Sequence, residues 1–445
     1  MIEGTSLVIE KQSVRKEVSF VVGIVAKVAF IPYIFKSKMD NPPIIHGIIY
    51  RKGLGMKRLV FILFISIFLF ALTQQVFALP RFALMTGAKC ASCHVNPTGG
   101  QMRTEYGIGY STDKLPLEAS RDSDFTFDSK ISDNISIGGD YRSQFVYDDL
   151  SKTTTFQSMT TSIYGAVTLS KKVSFYFKQD IVNGTYDFPT NFYAGTEVFG
   201  IFRLFPKGWY IKGGTFLPDY GWKSDDHTSY VRGGDLRFLP GSNLPGAKKG
   251  MIFTPNYKDI GVEVGGYIED LSLTAGVFNG TGNLTPIDPS KDKAFVAKLE
   301  YMGSASSVNF RVGVSGYTFK TYRLGGIHAG FATGDLVILG EMDWTRGQLA
   351  GTTLTDNINT MAAYGEVDYR AMQGIWLIGK FDMFDPLQGL GDDDSTPTIN
   401  TVQRFTVGLE FFPYSFVEVR PQYRINVEKP SIQNDQALVQ MHIWF

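Results

Sequence analysis

The chain has 445 residues, 43 Lys and Arg against 43 Asp and Glu, and a formal net charge of zero, which gives no electrostatic footprint for nucleic acid. It contains only two cysteines, too few for a disulfide scaffold. Mean hydropathy is −0.04, which excludes a protein built mainly of membrane-spanning helices. Glycine (47) and aromatic residues (35 Phe, 22 Tyr, 5 Trp) are both abundant, as in folds of many strands with tight turns and aromatic girdles.

Residues 1–55 contain an apolar run, Val18 to Phe35, interrupted by Lys27 and Pro32. A transmembrane helix needs about twenty uninterrupted apolar residues. Residues 56–78 read instead as a secretory signal peptide: basic Met56-Lys57-Arg58, apolar Leu59 to Leu72, and Val76-Phe77-Ala78 as a small-residue cleavage site. The expectation is that translation starts at Met56 and that residues 1–55 are a mis-called upstream extension. The alternative is a cytoplasmic tail with an uncleaved anchor.

Residues 79–122 are short and rich in Gly and Pro. They hold Cys90-Ala91-Ser92-Cys93-His94, the attachment signature of a c-type haem. Two thiols at this spacing reach both vinyl groups of one porphyrin, and the adjacent histidine becomes the proximal iron ligand. Two thiols and one histidine leave a zinc site incomplete. A thioredoxin-like pair belongs at the start of a helix in a βαβ unit, and the surroundings do not read that way. The expected cofactor is one covalent haem c. Met102 is the first candidate for the sixth iron ligand, because a His/Met pair raises the potential. Met85 is the second and His442 an alternative. Each also has an ordinary role, as a packing methionine or a polar residue of a lumen face.

Residues 123–445 switch to period two. Val308, Phe310, Val312 and Val314 alternate with Asn309, Arg311, Gly313 and Ser315. Phe405, Val407, Leu409 and Phe411 alternate with Arg404, Thr406 and Glu410. Such alternation gives a sheet with one apolar and one polar face. About sixteen runs are separated by connections that alternate short and long, with short turns near 171, 206, 270, 305, 334, 373 and 414. The last strand ends in Trp444-Phe445, apolar at every second position. The expected fold is all-β: a transmembrane antiparallel barrel of about 16 strands, set in outer-membrane lipid, carrying a short N-terminal haem segment. Residues such as Lys298, Glu300, Glu341, Asp343, Asp382 and Glu418 then line a wet lumen of mixed sign.

Two loop features stand out. Asp219 to His227 gathers carboxylates, an imidazole and aromatics, with Asp225, Asp226 and His227 as a candidate outer-loop cation site. Asp392-Asp393-Asp394 is an acidic triplet, read as a solvated loop tip.

An exported C-x-x-C-H segment followed directly by a barrel resembles the fused monohaem cytochrome c–porin family, whose best-known members are outer-membrane iron oxidases. The local resemblance lies in Pro80, Phe82, Thr86-Gly87, Cys90 to His94, Pro97 and the glycine-rich run to Tyr110. Asn96-Pro97-Thr98-Gly99-Gly100-Gln101-Met102-Arg103 departs from the Phe-Gly-Arg-type segment of the iron oxidases, which points to a sister group. The resemblance implies an electron-transfer protein whose haem segment plugs the periplasmic mouth or the lumen. It would link an extracellular donor or acceptor, ferrous iron being the family example, to a periplasmic electron carrier. From other classes come a passive porin with a haem-bearing plug or regulator, and a small-molecule oxidoreductase or sensor with an open haem face.

Overall fold

The structure is a computed structural model. It describes residues 80–120, 128–182, 195–203, 208–223, 228–234, 250–255, 257–282, 288, 290–347, 359–388, 392 and 400–445. The proposed leader, residues 1–78, lies outside these, as do Asp225, Asp226, His227, Asp393 and Asp394.

Three helices precede the sheet: α1 (Pro80–Thr86), α2 (Cys90–Cys93) and α3 (Glu105–Asp113). The strands are β1 (Lys130–Ser132), β2 (Ile135–Asp148), β3 (Thr153–Ser170), β4 (Val173–Val182), β5 (Thr196–Phe202), β6 (Tyr210–Phe216), β7 (Asp259–Ile268), β8 (Leu271–Phe278) and β9 (Ala294–Ala305). They continue as β10 (Val308–Phe319), β11 (Tyr322–Thr333), β12 (Leu336–Arg346), β13 (Asn359–Met372), β14 (Ile375–Asp385), β15 (Val402–Tyr414), β16 (Val417–Val427) and β17 (Gln436–Trp444). Each of β2 to β17 pairs antiparallel with its sequence neighbours, and β17 pairs back onto β2 with His442 opposite Arg142. This closes sixteen strands into a barrel and leaves β1 as a stub beside the start of β2. Closure removes both sheet edges, as a wall in lipid requires. Phe445 seals the seam: its N–H donates to the Gly139 carbonyl and its own carbonyl accepts from the Gly139 N–H, both at 3.1 Å.

The period-two pattern sorts the side chains as expected. Val312 and Val314 are 53% and 50% exposed on the outer wall, while Arg311, next to Val312, is 3% exposed inside. Phe405 and Val407 face out, and Arg404 and Thr406 face in. This apolar outer belt is the surface that lipid covers.

The connections correct the strict short/long alternation. One end carries the short turns, among them Glu269-Asp270, Ser306-Ser307, Gly334-Asp335 and Ser415-Phe416. The other end carries the long loops, but two of its hairpins are short as well: Asp149 to Lys152, and the two-residue Lys320-Thr321. The short-turn end is the periplasmic one in barrels of this kind.

The lumen also differs from the wet interior expected. Glu341, Asp343, Asp382, Arg404 and Glu410 are all at most 4% exposed. Two segments fill the space. Residues 80–120 lie at the short-turn end, and the described parts of the connection between β6 and β7 fold inward above them. The physical cause is the charge on the inner wall, since a buried ionised group needs a partner. The lower segment inserts Arg81 between Glu410 and Asp368, the latter at 3.6 Å, with its guanidinium over Trp376. Leu117 N–H donates to the Phe412 carbonyl (3.0 Å) and Gln373 to the Pro116 carbonyl (2.9 Å). The inward loop inserts Arg232 against Glu341 (2.8 Å) and Asp343 (3.6 Å).

Breaking one partner of a buried ion pair costs about 3–5 kcal/mol. Arg81→Met is therefore expected to unseat residues 80–120 while leaving the barrel closed. Limited proteolysis from the periplasmic side should then release the segment, with the barrel's heat-modifiable mobility on gels unchanged.

Candidate functional site

The site begins with a four-residue helix. In α2 the His94 N–H donates to the Cys90 carbonyl (3.0 Å), so both cysteines and the histidine lie on one turn. Cys90 and Cys93 are free thiols, half-buried, while Ala91 and Ser92 between them are exposed. Thr104 fixes the next element: its backbone N–H donates to the Cys93 carbonyl (3.0 Å), its hydroxyl to the Ser92 carbonyl (2.7 Å), and it caps α3. Gly107 in α3 lies so close to α2 that a Cβ there would stand 2.3 Å from the Cys93 carbonyl oxygen.

Between these helices the chain doubles back. His94 and Arg103 form an antiparallel bridge, and the Val95 N–H donates to the Met102 carbonyl at 3.1 Å. The loop so formed carries the Asn96 to Gln101 stretch. Its polar residues bind the barrel wall and the inward loop. Gln101 donates to Glu197 (2.6 Å) and accepts from Tyr176, and Lys212 approaches Asn96 and Thr98 (3.4 Å each). Lys223 of the inward loop donates to the Thr98 hydroxyl (2.6 Å) and the Gly99 carbonyl (3.1 Å). Gly99 has φ +86°, a conformation that favours glycine, and an added Cβ would sit 3.4 Å from Cys90 Cβ and 3.9 Å from His94 Cδ2.

Cys90, Cys93 and His94 line one cavity of about 300 Å³, partly open to solvent. Its floor is the segment 80–120 and its upper side the inward loop, through Tyr220, Trp222 and Lys223. Its walls come from opposite sides of the barrel, Lys298 and Arg311 on one and Arg142, Lys178 and His442 on the other. Arg311 lies three residues beyond the start of β10 and Lys298 seven before the end of β9. At roughly 3.3 Å per residue and a tilt of about 40°, the cavity reaches from near the short-turn end to about the middle of the wall.

Burial, reinforced by the positive charges of Arg103 and Lys223, pushes the His94 imidazole down to about 3. Its Nδ1 is buried without a hydrogen bond of good geometry, with the Gln101 and Met102 backbone beside the ring. Burial raises the Cys93 thiol and lowers the Lys223 amine to about 8.

The other expected ligands are placed differently. Met102 is 1% exposed and packs outside the lining of this cavity, as does Met85. His442 does line it, near the periplasmic end of the last strand, but both ring nitrogens face carboxylates: Nε2 lies 2.8 Å from Asp140 and Nδ1 3.3 Å from Glu418. Asp219 to Lys223, expected in an outer loop, lie inside the lumen. Asp219 approaches Lys298 at 3.7 Å, and the Trp222 N–H donates to Glu341 at 2.9 Å. Asp392 accepts from the Thr401 N–H and pairs with Lys429, so it is tied to its own loops. Thr98, Gly99, Gly107, Tyr220 and Lys223 are site residues that pattern reading does not find. They answer to no motif, and their roles depend on which strands close around them.

Compared with models of known protein families and with curated proteins, the sequence matches none. Among solved structures, the chain is similar to a loop L8 deletion mutant of OmpT, an outer membrane protein of Vibrio cholerae. The two are 13% identical, the match covers 70% of this chain and 99% of that one, and the TM-score is 0.47. Similarity to the outer membrane channel DcaP of Acinetobacter baumannii is at 11% identity, 72% and 99% coverage and TM-score 0.48. For Pseudomonas putida OprB the values are 11%, 70%, 94% and 0.49. By its own strand pairing and apolar outer belt, the chain is a closed, porin-like outer-membrane barrel of sixteen strands.

In protein made without haem attachment, a neutral buried His94 sets a direction for pH. The imidazole binds fewer protons folded than unfolded between pH 6.5 and about 3. Its contribution is thus fully present above pH 6.5 and is lost as pH falls towards 3. Urea unfolding of the lumen segment should show this loss, and His94→Gln should flatten it. Gly107→Val should overpack α3 against α2 at about 1–3 kcal/mol, read as a lower thermal midpoint for protease release of residues 80–120.

Proposed function

We propose that this protein carries out outer-membrane electron transfer, with one c-type haem held covalently in the barrel lumen between an extracellular donor or acceptor and periplasmic carriers. One observation carries this reading. The two free thiols and the imidazole of a C-x-x-C-H motif line a single cavity enclosed by barrel wall and inward loop. The residues present fit the group. Cys90 and Cys93 are on one helical turn for two thioether bonds, and His94 is held neutral, the form that ligates iron. The buried His94 Nδ1 lacks a well-formed hydrogen bond, and Gly99 leaves open the space a Cβ would fill beside Cys90 and the ring.

A haem held there supplies reversible one-electron chemistry at iron. The chain's own residues set its surroundings. Tyr220 and Trp222 cover the cavity on the outer side and restrict water. Arg103 and Lys223 place positive charge near the imidazole. Exposed Ala91 and Ser92 leave the helix edge open towards the periplasmic end, where a soluble carrier would approach. His442 is held between Asp140 and Glu418 on the cavity wall. Ferrous iron is one donor this arrangement would accept, on the resemblance to the iron oxidases. The second reading is a passive channel with a haem-bearing plug. The paired lumen charges that seat residues 80–120 favour a permanent filling over a pore.

The two readings separate in sealed outer-membrane vesicles. Ferrous iron added outside should bring up the reduced c-type absorption band in the wild type and none in Cys90→Ala/Cys93→Ala. A band that appears only with a membrane-permeant reductant would contradict an outward electron connection.

A further inference from the structure

The cavity reaches from near the short-turn end to about mid-wall, so an outside donor needs a route from the outer rim down to it. Lipid-band heights of ~25 Å make direct contact across the barrel out of reach. Among the described residues, two hairpins of the outer rim are short, Asp149 to Lys152 and Lys320-Thr321; the second, with two residues between the strand ends, keeps the rim low there.

Directly beneath this low rim the lumen is filled by aromatic rings. Tyr220 and Phe253, both from the inward loop, line the cavity, with ring centroids 5.0 Å apart. Phe253 meets Tyr317 of β10 edge-on at 5.3 Å. Tyr317 meets Tyr322, the first residue of β11, at 6.0 Å. All four are at most 5% exposed. Tyr322 flanks the Lys320-Thr321 hairpin, where Lys320 is 44% exposed and approaches Asp292 at 4.0 Å. Packing alone accounts for buried rings, and the lumen holds other aromatic pairs. Tyr230 and Phe384, for example, stack at 5.9 Å, and neither lines the cavity. What sets the first series apart is its two ends, one on the cavity wall and the other at the shortest described hairpin of the outer rim.

We infer that Tyr220, Phe253, Tyr317 and Tyr322 form an electron relay from the Lys320-Thr321 notch to the cavity, and that the notch is where an extracellular one-electron donor docks. The inference rests on the haem reading above. Electron balance is simple: the donor, a small metal complex of the ferrous type, loses one electron and the oxidised centre in the cavity gains it. The rings bridge the transfer without net change of redox state, so no proton leaves the tyrosines. Contact between neighbouring π-systems at 5.0–6.0 Å keeps each gap short.

The test uses full-length protein in sealed outer-membrane vesicles, oxidised beforehand, with hexacyanoferrate(II) added outside and reduction followed at the c-type band. Phe253→Leu and Tyr317→Leu should each slow reduction by about an order of magnitude or more. In Tyr317→Leu, whose ring lies outside the cavity lining, the absorption spectrum, the reduction potential and the rate with a permeant reductant should stay as in the wild type. Phe384→Leu, which removes a ring from the pair outside the series, should leave the external rate unchanged. An unchanged external rate in Phe253→Leu and Tyr317→Leu would overturn the relay, as would equal slowing in Phe384→Leu. Absence of a c-type band in the wild type would instead defeat the haem reading on which the relay stands, so the two failures are distinct.

Discussion

A ring of acidic and basic side chains on the inner wall of a closed barrel is the constraint on which the rest depends. Lipid drives the apolar residues outward, and strict alternation then places Glu341, Asp343, Asp368, Glu410 and their neighbours inside. Charges at such burial need partners at close range. Arg81 from the lower segment and Arg232 from the inward loop supply them. The same residues that keep the wall out of lipid thus hold two separate pieces of chain in the lumen.

Seating those pieces creates the site. The lower segment brings the C-x-x-C-H turn, the inward loop brings Tyr220, Trp222 and Lys223, and Lys223 ties the two together through Thr98 and Gly99. The local backbone is built for close approach, with Gly107 against Cys93 and Gly99 against Cys90 and His94. Burial and neighbouring cations keep the imidazole neutral, as an iron ligand must be.

Much of the barrel was legible in the sequence because period two is a local signal. The out-facing Val312 and Val314, the in-facing Arg311 and the lumen-facing His442 all follow from alternation. The short turns of one end fell where Gly, Asp and Ser cluster. A plug formed by the haem segment was expected only from the family resemblance, and the inward folding of the loop after β6 was not legible, because it depends on pairs such as Arg232–Glu341, more than a hundred residues apart. For the same reason Asp219 to Lys223 read as an outer loop tip. Met102 was placed with the motif by sequence distance, yet its side chain packs outside the cavity lining, while the Asn96 to Gln101 stretch beside it makes polar contacts to the wall and the inward loop. The C-x-x-C-H motif itself needed no fold to be seen; its enclosure inside the barrel did.

The central claim is a covalent haem on the turn that the barrel encloses. The most direct test is the mass of the proteolytic peptide that contains Cys90 and Cys93, taken from protein purified out of the native outer membrane. The account predicts that peptide carrying one haem on both sulfurs, with the colour surviving acid-acetone extraction. Two unmodified thiols, in protein from cells that mature c-type cytochromes, would contradict it.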